Sequence, residues 1–525
     1  MDRERLLRLC RAGRQGVFLV AFGSAASCTA LSRPDACEVS RLPTGSTETD
    51  DRSVTQETVG LGSFPFQVLT GPQSLVARPG GEAATVGWIE VSDVSDDRQL
   101  GRLQLSASGF DRSCPNVYLV WTEEAVPDRL SIGFLPPGTA IGTSRAAGLL
   151  AYSVAGREDT DRVNRVGSLL LDRFGCWLMP RPTCGDQLAL LSDEDEGFVL
   201  GVAPVVLSFR TGRVVVLWLR RESSRNTELR GGRVDLGASC PVPAATSVVG
   251  DEGGVSVPYS GNSMIGFAGT VINPGSTDRS QRGRFALLWY EDAPSIDGYR
   301  VVLGTFEETL APDAEPFVIA EVPSVAQATS ASELPSLAFD GETLLATWVE
   351  RDSADDSTRV RGRFLDLTSS DAPAFLSSPG TSGADRSFRI GDAEAGSEVN
   401  PVATAVPGGG FAVAYVESGA GRASGEQGAG TGVRLIAFDA DRRRQFLNLA
   451  CGPSSIAVTP EGAPTAPGTG RVRSDPTPPL SLTVLADRRV LVAYTEGAIR
   501  LDDQAPSGVR VVSLGPEVLF PPGAR

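Results

Sequence analysis

Short apolar runs ending in an aromatic residue recur along the chain. Residues 83–90 read AATVGWIE, and later come LLAYSV, RVVVLWLR, RFALLWYE, TLLATWVE, GFAVAYVE and RVLVAYTE. The aromatics are Trp88, Tyr152, Trp218, Trp289, Trp348, Tyr415 and Tyr494, separated by 64, 66, 71, 59, 67 and 79 residues. Two places on there is usually a glutamate: Glu90, Glu291, Glu350, Glu417 and Glu496. Side chains alternate between the faces of a strand, so in FAVAYVE Phe411, Val413 and Tyr415 share one face and Ala412, Ala414 and Val416 the other. Both faces are apolar, which predicts a strand covered on both sides.

A second landmark keeps step with the first. Gly101, Gly167, Gly232, Gly362 and Gly508 follow their aromatics at nearly constant distance, each opening a strand-like run such as GSLLL or GRFLDL. Before the aromatic run, stretches such as LPSLAFDGE and NPVATAVPGGG read as a strand and a tight turn. Each unit is therefore strand, turn, aromatic strand, longer loop and glycine-marked strand, with room for a fourth. Helical periodicity is almost absent.

Seven such units over about residues 65–520 resemble the blades of a β-propeller, and the aromatic-x-Glu echo resembles the repeats of bacterial exported propeller lipoproteins. The expected fold is all-β, with seven four-stranded blades. Two alternatives are eight blades, because NVYLVWTE with Trp121 also fits the run, and tandem β-sandwiches. A ring must close, since an open seam would expose a long apolar edge. The segment Phe64–Leu69 (FPFQVL) is the expected partner of the final run, Gly508–Leu514.

Residues 1–27 read as a signal peptide, with five arginines ahead of the short apolar segment VFLVAFGSAA. Ala25-Ala26-Ser27-Cys28 resembles a lipoprotein lipobox, which implies acylation of Cys28; Ala25 stands where leucine is usual. Ordinary cleavage would instead give a periplasmic or secreted chain. Residues 28–60, rich in Ser, Thr, Asp and Glu, are expected to be a flexible tether, and residues 61–525 the folded body. The expected location is the outer membrane or cell surface, with the membrane reached only through the lipid. Six cysteines remain beyond Cys28, an even number that suggests disulfides in an exported chain, with Cys176–Cys184 the closest pair.

Charge and missing residue types narrow the chemistry. The net charge is −16, with no basic run in the mature region, which sets nucleic acid aside. The sequence contains no histidine, and every basic side chain is arginine. Ser-His-Asp and Cys-His catalysis, histidine metal sites, Schiff bases and phosphate-loop lysines are thus excluded. Carboxylates, Tyr, Arg, Ser and Cys remain. The candidate acidic loops hold Glu90, Asp96 and Asp97; Asp159 and Asp161; and Glu350, Asp355 and Asp356. Clustered carboxylates suit calcium, the one cofactor the sequence suggests. No catalytic residue is assigned. The expectation is a non-enzymatic envelope propeller binding a protein or glycan; the alternatives are a carboxylate- or metal-dependent hydrolase or lyase, and a structural surface protein.

Overall fold

A computed structural model describes residues 54–61, 67–95, 98–107, 112–113, 126–139, 146–155, 165–178, 189–190, 198–199, 204–221, 226–236, 244–247, 257–258, 266–275, 282–293, 298–323, 334–351, 357–367, 374–376, 387–391, 397–418, 432–443, 456–457, 480–496 and 508–516. The described residues form seven antiparallel sheets. Blade I contains Gln67–Ala77, Ala84–Ser95, Arg98–Ala107 and Arg112–Ser113. Blades II to VI repeat this order, their second strands being Gly148–Ala155, Arg213–Arg221, Arg284–Ala293, Thr343–Arg351 and Phe411–Ser418. Blade VII is built on Ser481–Val484, Val490–Glu496 and Gly508–Leu514. The innermost strand of each blade packs against that of the next, and blade VII returns to blade I. The architecture is a β-propeller; Trp121, on which the eight-blade alternative rests, lies outside the described residues.

The seven aromatics are all buried, from fully for Trp348 and Tyr415 to 4% exposed for Trp88 and Trp289. Six pack between their own blade and the preceding one. Trp218 meets blade II residues Leu149 and Ala151, Trp348 meets Ala286 and Leu288 of blade IV, and Trp88 meets Leu491 and Ala493 of blade VII. Alternation explains the double-sided apolar runs. In blade III, Val214, Val216 and Trp218 face blade II while Val215, Leu217 and Leu219 face blade IV. A sheet with one wet face would not need the second set.

The glycine landmark has a packing cause, though the glycines do not generally open their strands. Gly167 lies inside Arg165–Leu171, directly across from Tyr152. A Cβ there would fall 2.3 Å from the tyrosine Cζ, so only glycine leaves room for the ring. Gly304, overlooked in the sequence pattern, lies under Trp289 with the same consequence. Only Gly508 begins its strand.

Closure differs from expectation. The strand beside Gly508–Leu514 is Val54–Leu61, which completes blade VII as its outermost strand. Residues 54–60 are therefore sheet where the sequence suggested the end of a tether. Gln67–Leu69, from the segment expected to close the ring, begins the innermost strand of blade I. The run VTQETVGL is broken by the polar stretch TQET, so it lacks the double-sided apolar signature and passed for a spacer.

Hydroxyls bridge neighbouring innermost strands. Ser74 of blade I accepts from the Ile132 N–H of blade II at 2.9 Å, and Ser336 of blade V from Ala403 N–H of blade VI at 2.9 Å. Thr483 of blade VII accepts from Ala77 N–H of blade I at 3.3 Å, across the closing seam. Each bridge satisfies an N–H at an interface where no strand ladder runs.

Candidate functional site

The ring has two ends. Second strands finish, and third and first strands begin, at the upper end; tight turns joining first to second strands mark the lower end. The aromatic-x-Glu repeat places its carboxylates at the upper end. Residues two apart on a strand share a face, so each glutamate stands beside its aromatic.

Blade V shows why the pair recurs. The Trp348 indole N–H donates to Glu350 Oε1 at 2.9 Å, and the Arg361 Nε–H donates to Glu350 Oε2 at 3.0 Å. Arg361 lies on the third strand, opposite Trp348. A buried indole N–H needs an acceptor, and the glutamate supplies it while the arginine balances its charge. In blade VI Arg434, opposite Tyr415, donates to Glu417 at 2.6 Å. Arg230 and Arg510 stand opposite Trp218 and Tyr494 in the same register. Blade III has Arg220 where the glutamate would be, and its Trp218 indole N–H is buried without an acceptor. The Trp289 indole N–H of blade IV also has none, although Glu291 lies two places on.

Of the carboxylates expected to matter, Glu350 is thus held within its own blade. Glu90 lies on Ala84–Ser95, with Arg102 opposite it in register. Asp96, Asp97, Asp159, Asp161, Asp355 and Asp356 lie outside the described residues. So do Cys28 and Cys184; Cys176 is disulfide-bonded, to a partner outside the described residues. Among the described residues no three His, Cys, Asp or Glu side chains gather to hold a metal, and no helix is long and apolar enough to cross a membrane.

The upper end holds one carboxylate that sequence reasoning missed. Glu398 sits near the start of the innermost strand of blade VI and is fully buried. Its Oε1 accepts from Arg389 Nη2 at 2.9 Å, and its Oε2 from the Val360 N–H of blade V at 3.0 Å. Gly391 leaves the space the carboxylate fills, for a Cβ there would come within 2.0 Å of its Cδ. Glu398 falls outside the aromatic-x-Glu repeat, so no periodic signal marked it. Glu291, half-buried, completes the upper-end set with Arg300, which reaches Glu321 at 3.4 Å. The described upper end is therefore a belt of glutamates interleaved with arginines. Such a belt can orient a polar ligand through charged hydrogen bonds.

No protein-family model matches the chain, and neither does any characterised protein sequence. Solved structures do resemble it in fold. An α-L-arabinofuranosidase from Fusarium graminearum, in complex with an iminosugar inhibitor, is 9% identical over 86% of this chain and 98% of its own, with a TM-score of 0.36. A polysaccharide lyase described as an ulvan lyase is 8% identical over 88% and 96%, with a TM-score of 0.41. An endo-arabinase from Bacteroides thetaiotaomicron is 12% identical over 54% and 92%, with a TM-score of 0.30. At these values the likeness is one of fold class. These neighbours are named as two glycoside hydrolases and a lyase, and the expected non-enzymatic binding propeller is corrected below in favour of its hydrolase or lyase alternative.

Proposed function

We propose that the chain is an exported enzyme that cleaves glycosidic bonds in a polysaccharide, as a hydrolase or a lyase working with carboxylates. The observation that carries this reading is the upper-end belt, where Glu321, Glu350, Glu398 and Glu417 meet Arg300, Arg361, Arg389 and Arg434 in a chain without histidine or lysine. Glycan cleavage is the chemistry named for the structures of similar fold; the support for this chain comes from its own side chains. A glycosidase needs only two carboxyl groups across the scissile bond, one giving a proton and one attacking or activating water. A lyase needs a base for the proton beside a uronate, and cations to hold the carboxylate. Carboxylate, tyrosine and arginine suffice for either route, and an arginine fork matches a uronate or sulfate group bidentately. The paired glutamates Glu350, Glu398 and Glu417 orient the arginines, leaving the substrate-facing guanidinium edges to bind. The acidic loops around Asp96, Asp159 and Asp355 join the second and third strands of blades I, II and V, and are the proposed source of the reacting carboxylates, with calcium as the cation they would take.

The test is a panel of neutral and acidic polysaccharides incubated with the mature protein. Released reducing ends report either reaction, and the ultraviolet absorbance of an unsaturated uronate reports only the lyase. Cleavage of at least one polymer is expected, and loss with a chelator would place calcium in the site. No new ends from any polymer would sink the reading.

Localisation is part of the same proposal, with the enzyme tethered through an acylated Cys28. Cys28→Ser is expected to move the protein out of the membrane fraction and abolish fatty-acid labelling. A wild-type protein without label, or a variant that fractionates unchanged, would remove the anchor.

A further inference from the structure

A turn at the lower end carries an aromatic that the fold does not require. Residues Asp172–Cys176 follow the third strand of blade II. Asp172 N–H donates to Cys176 C=O at 2.8 Å, Gly175 N–H donates to Asp172 C=O at 3.0 Å, and Gly175 has φ +81°. The same turn follows the third strand in blades IV and VI. There Glu307 N–H donates to Ala311 C=O at 2.9 Å and Asp439 N–H to Arg443 C=O at 3.0 Å. Leu310 and Arg442 take the position of Gly175, at φ 76° and 64°. The third residue of the turn differs: Thr309 in blade IV, Asp441 in blade VI and Phe174 in blade II. Thr309 is half-buried and bonds Glu307 at 3.0 Å, and Asp441 is solvated. The turn therefore accepts polar residues there, and its geometry gives no reason for a phenylalanine.

Phe174 is 52% exposed, and Val318 of blade IV, at 40%, is the one other large apolar side chain exposed among the described residues. The backbone that carries the ring is also held in place. Asp172 Oδ1 accepts from the N–H groups of Phe174 at 2.8 Å and Cys176 at 2.9 Å, and Cys176 is tied by its disulfide. From blade I, Arg78 Nη1 donates to the Phe174 C=O at 3.1 Å. Gly175 closes down on Thr85, where a Cβ would meet Oγ1 at 1.9 Å. The exposed Arg173 guanidinium stacks 4.7 Å from the ring centroid, covering one side of it. Burial pulls the Arg78 guanidinium below its ordinary value, with Asp172 opposing.

We propose that this turn is a second glycan-binding site, a platform on which the open side of Phe174 stacks against a sugar ring of an acidic polysaccharide and Arg173 meets its carboxylate or sulfate. A protein interface core needs several hundred Å² of apolar surface, and one ring does not supply it. One ring does match the C–H face of one sugar. A site fixed before binding loses little freedom on complex formation. The choice of a glycan as occupant rests on the proposed activity, but the platform lies at the opposite end from the upper belt and binds without cleaving.

Native gels cast with alginate, polygalacturonate or dextran test it, using the mature full-length protein. Wild type is expected to be retarded by at least one acidic polymer and not by dextran. Phe174→Ala should weaken that retardation about tenfold, and Arg173→Gln should weaken it less. Phe174→Trp should keep it. Thr309 and Asp441 hold the same position, so the melting temperature of Phe174→Ala should match wild type. Unretarded wild type, an undiminished Phe174→Ala or equal retardation by dextran overturns the platform. Cleavage of short oligosaccharides by Phe174→Ala is read separately, so a failed activity leaves the binding result standing, and the reverse.

Discussion

Deleting residues 501–525 is expected to unfold the whole ring, not merely its last blade. The deletion removes Gly508–Leu514, which lies between Val490–Glu496 and Val54–Leu61. Val509 and Val511 face blade I, and Val512 and Leu514 face blade VI; all four are buried. Each buried aliphatic side chain contributes roughly 1.5–3 kcal/mol. The loss is then comparable with the roughly 5–15 kcal/mol that separates a folded protein from its unfolded state. Val54–Leu61 also loses its only partner strand among the described residues, and the seam opens on both sides. Circular dichroism and limited proteolysis check this. A truncated protein that melts like wild type and resists protease would show that the other six blades stand without closure.

The second large effect lies at the lower end, between blades III and IV. Glu308 is fully buried; its Oε1 accepts from Arg213 Nη1 at 2.7 Å and its Oε2 from Thr211 Oγ1 at 2.8 Å. Arg213→Met leaves a buried carboxylate without its hydrogen-bonded cation, a change that costs about 3–5 kcal/mol. Arg213→Met combined with Glu308→Leu removes both charges, and most of the loss should return. Urea denaturation of wild type, single and double variants measures it. A single variant within about 0.5 kcal/mol of wild type, as for ordinary surface changes, would mean that solvent already reaches Glu308.

How far the sequence spoke depended on repetition. A strand covered on both faces must be apolar on both faces, so the seven second strands declared themselves, and their aromatics form the ring of contacts that pattern implied. Features belonging to one blade left no such trace. Glu308 is held by partners 95 and 97 residues away, Glu398 by partners 9 and 38 residues away, and neither glutamate repeats from blade to blade. The aromatic-x-Glu pair was visible, but its purpose was not. The register that brings Arg361 and Arg434 across from Trp348 and Tyr415 matches the repeated glutamates with arginines. Val54–Leu61 escaped because VTQETVGL lacks the continuous apolar run of the second strands, and its polar residues fit a tether equally well.

The closing strand also sets a timetable. Val54–Leu61 is made long before its partner Gly508–Leu514, about 447 residues further along the chain. At about 5–20 residues per second, the early strand waits roughly 20–90 s for its edge to exist. Through that interval it is an unpaired β-edge, open to any matching edge nearby. A last blade on a second copy offers the identical register, and reaching it across a long chain costs little more than reaching its own. High local concentration therefore sets self-closure against strand exchange, in which one molecule's Val54–Leu61 seals another's ring.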